Sequence, residues 1–196
     1  MSTRPNILFL MADQLQRRMT DSDHPCRTPT FSRLADRGMR FERAYTSNAV
    51  CSPARAGIMT GLLPHNHGVL EVTHCVDDDQ SCLRDEHPHW AQRLRDAGYR
   101  TGFFGKWHIE RSGELDRYGW EVNGMMGGER FNARKEAVLG EEPPEREFVL
   151  RRNNKLPHGY NESLLYGVVK EPPEYRPMGL VTDLAEEFLR DVTGGE

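Results

Sequence analysis

Short apolar runs of strand length alternate along this chain with amphipathic segments of helix length, and that alternation limits the folds open to it. Residues 6–12 (NILFLMA) form an apolar run, the pattern of a central strand covered on both faces by helices, and its carboxyl end delivers Asp13 and Gln14. Thr28-Pro29-Thr30 supplies a helix N-cap with proline at the first helical position, and Phe31, Leu34 and Ala35 keep helical spacing up to a stop at Gly38. Residues 39–46 alternate as a second strand would. After Ser52-Pro53 the run AGIMTG reads as a short helix that leaves Cys51 beside its N-terminus. Residues 90–97 give another amphipathic helix ending at Gly98, and 99–104 a strand that runs into Gly105-Lys106-Trp107-His108. Helices alternating with apolar strands predict an α/β fold with a largely parallel sheet sandwiched by helices. In such sheets ligands gather at the carboxyl ends of the strands.

The chain has 196 residues, 37% of them hydrophobic and 29% charged, which is ordinary for a folded protein and too apolar for disorder. A formal charge of -4 with no basic block gives no attraction for nucleic acid or an acidic membrane surface, so an anionic substrate would need a local cationic pocket. The run at 6–12 is too short for a secretory segment and ends in an acid, and no stretch approaches the roughly 18 apolar residues of a membrane span. A cytoplasmic location is the working expectation. Cys26, Cys51, Cys75 and Cys82 lie apart without a CxxC pair, which points to neither a zinc knuckle nor a dense disulfide scaffold and leaves a Cys75–Cys82 bridge open. Residues 124–179, with GEEPPERE and KEPPEYRP, read as a loop-rich insertion, and 180–193 as a closing helix. The expected arrangement is a core over 1–123 carrying the chemistry, then that insertion and that helix.

Taken alone, Cys51 reads as a small buried hydrophobe, the usual place of a free cysteine. A helix N-terminus and nearby Arg55 nevertheless favour an anion there, either a thiolate or a bound oxyanion. Asp13 at a strand end would by itself cap a turn, and Lys106 and His108 would be solvated residues after a strand.

The run CSPAR followed by AGIMTG resembles the sulfatase signature, Cys-x-Pro-x-Arg with Thr-Gly closing the next turn, and matches each defining position. PNILFLMADQ resembles that family's first strand and metal-binding acid, GKWH its Gly-Lys-Trp-His segment, and TPTFSRLADRGMRFERAYT the helix and strand between them. The resemblance covers residues 4–120 and implies the alkaline-phosphatase-like sulfatase fold. It further implies that Cys51 is oxidised to formylglycine by a formylglycine-generating enzyme. One hydroxyl of the aldehyde hydrate would attack sulfur, and the second would later expel sulfate. Asp13, Gln14 and position 51 would bind a divalent metal, usually calcium in the family, with magnesium or manganese as alternatives. Many members carry two aspartates where this chain has Asp13-Gln14, although members resembling choline sulfatases and phosphonate monoester hydrolases also show Asp-Gln.

By the same resemblance Lys106 would contact sulfate and formylglycine, His108 would hold the formylglycine hydroxyl, and Arg55 would steady the modified residue. His74 would line the substrate pocket; His65 and His67 would be structural at least as readily as catalytic. His24, His87, His89 and His158 read as surface histidines. Sulfatases of this type are longer, and their second halves supply further metal and sulfate ligands that have no counterpart here after Trp120. The expectation is an N-terminal portion of the catalytic domain, inactive by itself, acting on a small-molecule or carbohydrate sulfate ester when completed. Two rival readings accompany it: a phosphonate monoester or phosphodiester hydrolase on the same scaffold, and a catalytically incomplete fragment whose Cys51 stays a thiol.

Overall fold

The structure, a computed structural model, describes residues 4–140, 146–152, 163–170 and 172–194. It divides into two compact units, Met1–Thr46 and Ser47–Glu196.

The first unit contains a 3-10 turn at Arg17–Thr20 and one helix, α1 (Pro29–Arg37). Pro29 occupies the first helical turn as expected, but the Thr28 hydroxyl makes no capping bond; its carbonyl instead accepts the Ser32 N–H at 3.2 Å. The strands expected at 6–12 and 39–46 do not form. Ile7, Leu8, Phe9 and Leu10 are 52 to 72% exposed. The physical reason is that an apolar run fixes a preference for burial but not a partner, and a strand exists only where a second one pairs with it. No two described segments of this unit hydrogen-bond as strands. Its charges do converge: Arg17 and Arg40 both pair with Asp21 (3.0 and 2.5 Å) and with Glu42. These pairs are solvated, so each contributes roughly 1 kcal/mol or less.

The second unit runs α2 (Cys51–Thr60), α3 (Pro64–His67), α4 (Trp90–Asp96), β1 (Gly102–Gly105), β2 (Val122–Met125), α5 (Glu129–Leu139), β3 (Arg146–Arg152), β4 (Ser163–Val169) and α6 (Pro177–Thr193). β1 and β2 pair in parallel, Gly102 opposite Val122 and Gly105 opposite Met125, across a crossover formed by residues 106–121. β3 and β4 pair antiparallel. The α/β class read from the sequence is the observed one, with two strands in the described parallel sheet.

β1 shows how a period of two sorts side chains between faces. Phe103 turns into one core, edge-on to Trp107 and Trp120 at 5.2 and 5.5 Å, together with Ala56, Met59, Ala91 and Leu115. Phe104 turns to the other face, against Phe188 of α6 at 5.5 Å and the cluster of Phe131, Leu180, Val181 and Leu184. α4 lies where the helix at 90–97 was expected, and α6 begins a turn earlier than the expected closing helix, at Pro177.

Residues 124–179, read from the sequence as a loop-rich insertion, contain α5, β3 and β4 among their described residues. α5 buries only Phe131, so ERFNARKEAVL has the composition of a solvated segment while being made of strong helix formers. The EEPPE part of that stretch, residues 141–145, lies outside the described residues. No disulfide joins the four cysteines, so the Cys75–Cys82 bridge left open is absent. Among the described residues no helix is long and apolar enough to cross a membrane.

Candidate active site

Cys51 is the first residue of α2, after Val50 in extended conformation, and is half-buried. No acid sits in the first turn, so nothing on the helix offsets the positive end of its dipole. The Thr-Gly of the motif is the helix terminator. The Thr60 hydroxyl donates to the Ala56 carbonyl at 2.7 Å and accepts the Leu62 N–H at 3.2 Å. Gly61 takes the left-handed conformation (φ 73°) and donates to the Gly57 carbonyl at 2.8 Å. Ser52, Pro53, Arg55, Ala56 and Met59 are buried, and Ala56 and Met59 anchor α2 in the core.

The GKWH segment leaves the carboxyl end of β1, where ligands of parallel sheets collect. Trp107 is 2% exposed and is held by Phe103 and by Tyr118 (5.4 Å), while its indole N–H donates to Glu110 Oε1 at 3.0 Å. Its neighbours Lys106 and His108 are half-buried. His108 has φ 53°, and Gln14 has φ 57°; among the described residues these are the two non-glycine positions in the left-handed region. Both are candidate site residues, and such backbone is a cost that persists where the surroundings demand it.

Arg55, 6% exposed and one helical turn from Cys51, donates from Nη1 to the Lys106 carbonyl at 2.5 Å. This bond ties the helix that begins at the cysteine to the turn that carries Lys106 and His108. The segment around His74 is fastened to both motifs as well. Thr73 N–H donates to Ser52 Oγ at 3.3 Å, and Arg111 donates to the carbonyls of Thr73 and Val76. His74 Nδ1 lies 2.9 Å from His108 Nε2, with the rings stacked at a centroid distance of 5.0 Å.

Ser52, Thr73, Glu110 and Arg111 are supporting residues that sequence reasoning did not single out, since nothing in VTHC or HIERSG distinguishes them from solvated polar residues. Glu110 accepts the Trp107 indole N–H and the backbone N–H groups of Ser112 (2.6 Å) and Gly113 (3.0 Å). Burial pushes its carboxyl pKa up, but these hydrogen bonds outweigh that effect and leave it below the usual value.

His89, expected on the surface, is instead 1% exposed. Its ring packs against Tyr118 at 4.5 Å and Trp107 at 6.0 Å, because the aromatic cluster beneath GKWH closes over it. Burial lowers its pKa to about 4, with Glu110 opposing, and pushes the Tyr118 phenol up to about 12. His67 is fully buried, and its Nδ1 accepts the Val69 N–H at 3.1 Å, a structural arrangement; burial lowers its pKa too. His65 is exposed, His24 and His87 are half-buried, and His158 lies outside the described residues.

A cavity of about 330 Å³ opens at the carboxyl ends of β1 and β2, lined by Lys106, His108, Arg111, Ser112, Met125 and Met126 among others; Cys51 is not one of its walls. Lys106 and Arg111 give it the cationic lining that an anion would require. Asp13 and Gln14 are adjacent and exposed in the first unit. Among the described residues no three His, Cys, Asp or Glu side chains are grouped to hold a metal ion. Two oxygen donors fall short of the roughly six to eight ligands that calcium takes, so these residues do not by themselves make the cation cage that the resemblance implied.

A family model described as Sulfatase matches residues 5–189. The N-acetylglucosamine-6-O-sulfatase of Bacteroides thetaiotaomicron is 34% identical over 108 residues, covering 54% of this chain and 18% of that protein. An arylsulfatase of Hemicentrotus pulcherrimus is 35% identical over 109 residues, 54% of this chain and 20% of its own length. The choline-sulfatase of Rhizobium meliloti is 36% identical over 145 residues, 66% of this chain and 27% of its own. The matched stretch thus spans between 18 and 27% of these curated relatives. A solved chain, the yidJ protein of Bacteroides fragilis, superposes over 43% of this chain and 18% of its own at 34% identity and a TM-score of 0.38, too partial a match to describe the fold. The family match runs through the segments that carry Cys51, Arg55, Lys106 and His108, and the chain belongs to the sulfatase family.

Proposed function

We propose that this chain is the cysteine-bearing part of a sulfatase catalytic domain, which hydrolyses an organic sulfate ester and releases inorganic sulfate after Cys51 has been matured to formylglycine. Membership of the family supports this reading. The observation that carries it is the Arg55–Lys106 bond, which fixes the helix end bearing Cys51 and the cationic turn of GKWH in one framework.

At position 51 the matured residue supplies a hydroxyl nucleophile and a second hydroxyl that permits release of sulfate. Lys106 lines the cavity and offers its ammonium to the sulfuryl oxygens as charge shifts onto them. Arg55, buried beneath, holds the Lys106 backbone in place and adds a fixed positive charge one turn from residue 51. His108 accepts or returns the proton of the hydroxyl at residue 51. Asp13 and Gln14 are proposed as part of a divalent-cation site, with calcium the expected ion, in which further donors take part. Ser52, Pro53 and Arg55 are buried, so an enzyme that oxidises Cys51 by reading this segment has to act before the unit folds.

The test is turnover by the native protein isolated from its own host. An aryl sulfate should be hydrolysed faster than a phosphodiester, Cys51→Ala should abolish the activity, and Lys106→Ala should lower kcat by roughly a hundredfold or more. A phosphodiester preference, or full activity in Cys51→Ala, would overturn the proposal.

A further inference from the structure

His74 belongs to neither sequence motif, yet its place is fixed by both. The turn that delivers it closes with the Cys75 N–H on the Val72 carbonyl at 2.9 Å, and Val72 and Thr73 are buried. Thr73 is bonded on one side to Ser52, the residue after Cys51, and on the other to Arg111, three residues after His108. Arg111 also holds the Val76 carbonyl at 2.5 Å and pairs with Asp78. An exposed imidazole on an untethered loop would sample many orientations. This one is delivered by a backbone anchored on both sides, and its Nδ1 stands 2.9 Å from Nε2 of His108.

A contact of that length between two ring nitrogens needs one N–H and one lone pair. A neutral imidazole has one of each, so the bond couples the nitrogen that carries the proton in His108 to the one that carries it in His74. If His74 Nδ1–H donates, His108 keeps its proton on Nδ1; if His108 Nε2–H donates, its Nδ1 is left as the acceptor. In either case the ring of His108 cannot turn over without breaking the bond, and its tautomer can change only together with that of His74. We propose that His74 is a positioning residue for His108, and that it sets the tautomer and orientation of that ring through a single N–H···N hydrogen bond rather than lining the substrate pocket. The use made of His108 rests on the sulfatase reading; the bond itself does not.

The test is nitrogen NMR of histidine-labelled protein at mildly alkaline pH, where neutral rings report their tautomers directly. His108 is expected to show one fixed tautomer, with coupling across the hydrogen bond to His74. In His74→Phe it should relax to the averaged signals of a free imidazole. His74→Asn, whose short amide can still bond, should restore a fixed tautomer, and His65→Asn, on an exposed ring, should change nothing. Unchanged His108 signals in His74→Phe would overturn the proposal, as would an averaged His108 in the unaltered protein. With a turnover assay for the native protein, His74→Phe should lower kcat roughly ten- to a hundredfold with KM nearly constant. A raised KM at constant kcat would return His74 to the pocket wall. If sulfate esters are not hydrolysed at all, the sulfatase reading fails while the NMR result still decides the bond.

Discussion

Trp107, at the centre of one site motif, is 2% exposed beneath two aromatic rings, whereas Ile7, Leu8, Phe9 and Leu10, in the apolar run that leads to Asp13 and Gln14, are each more than half exposed. Each of the two units carries residues that the sequence marks for the same chemistry. In the second, the chemistry sits on buried scaffolding: Arg55 on the Lys106 carbonyl, Glu110 on the Trp107 indole, Ser52 on Thr73. In the first, α1 buries no residue, and the cross-links are solvated ion pairs of Arg17, Arg40, Asp21 and Glu42. The contrast teaches that motif chemistry can be fixed by contacts close by in space, while an apolar strand pattern remains only a preference until another strand satisfies it.

If the contrast is energetic as well as geometric, the same kind of change should cost very different amounts in the two units. The largest loss is expected from Phe103→Ala, which removes a ring wedged between two tryptophans and should cost about 3 to 5 kcal/mol in urea unfolding. Lowering pH should cost nearly as much through His89. Its folded pKa of about 4 lies below the unfolded value near 6.5, so the unfolded chain binds the extra proton between those values. The His89 contribution should therefore be full above pH 6.5, fall by up to about 3 kcal/mol as pH drops toward 4, and level off below, where protonation of Glu110 continues the loss; His67 acts in the same direction as His89. His89→Phe should flatten this dependence. Arg55→Ala comes next, at about 2 kcal/mol, since it leaves a part-buried carbonyl without its charged donor. Arg40→Ala and Leu8→Asn in the first unit should each change stability by only about 0.5 kcal/mol, because one removes solvated ion pairs and the other an exposed side chain. A Leu8→Asn cost matching that of Phe103→Ala would erase the contrast.

The legible parts of the sequence were those whose signal is local. Pro29, Gly38, Gly61 and Gly98 punctuate helices through their own backbone restrictions, and α1, α2 and α4 lie where those residues put them. Cys51 at the head of α2 and GKWH at the end of β1 were legible for the same reason. Partners were not legible. Nothing in NILFLMA states which strand would pair with it, and nothing in VTHC says that Thr73 will meet Ser52 and Arg111 across the fold. Burial of His89 depends on Trp107 and Tyr118 arriving from distant positions, while the stretch that precedes it, DEHP, pointed to the surface. α5 escaped because a helix with a single buried residue leaves almost no apolar period to read.

The central claim is that Cys51 is a precursor rather than a structural thiol. The most direct measurement is the mass of the peptide spanning residues 51–55 in the native protein isolated from its own host, before and after reaction with an aldehyde-selective hydrazine. The account requires a residue at position 51 lighter than cysteine that gains the hydrazine label. An intact, alkylatable thiol at full occupancy, with no labelled fraction, would contradict it.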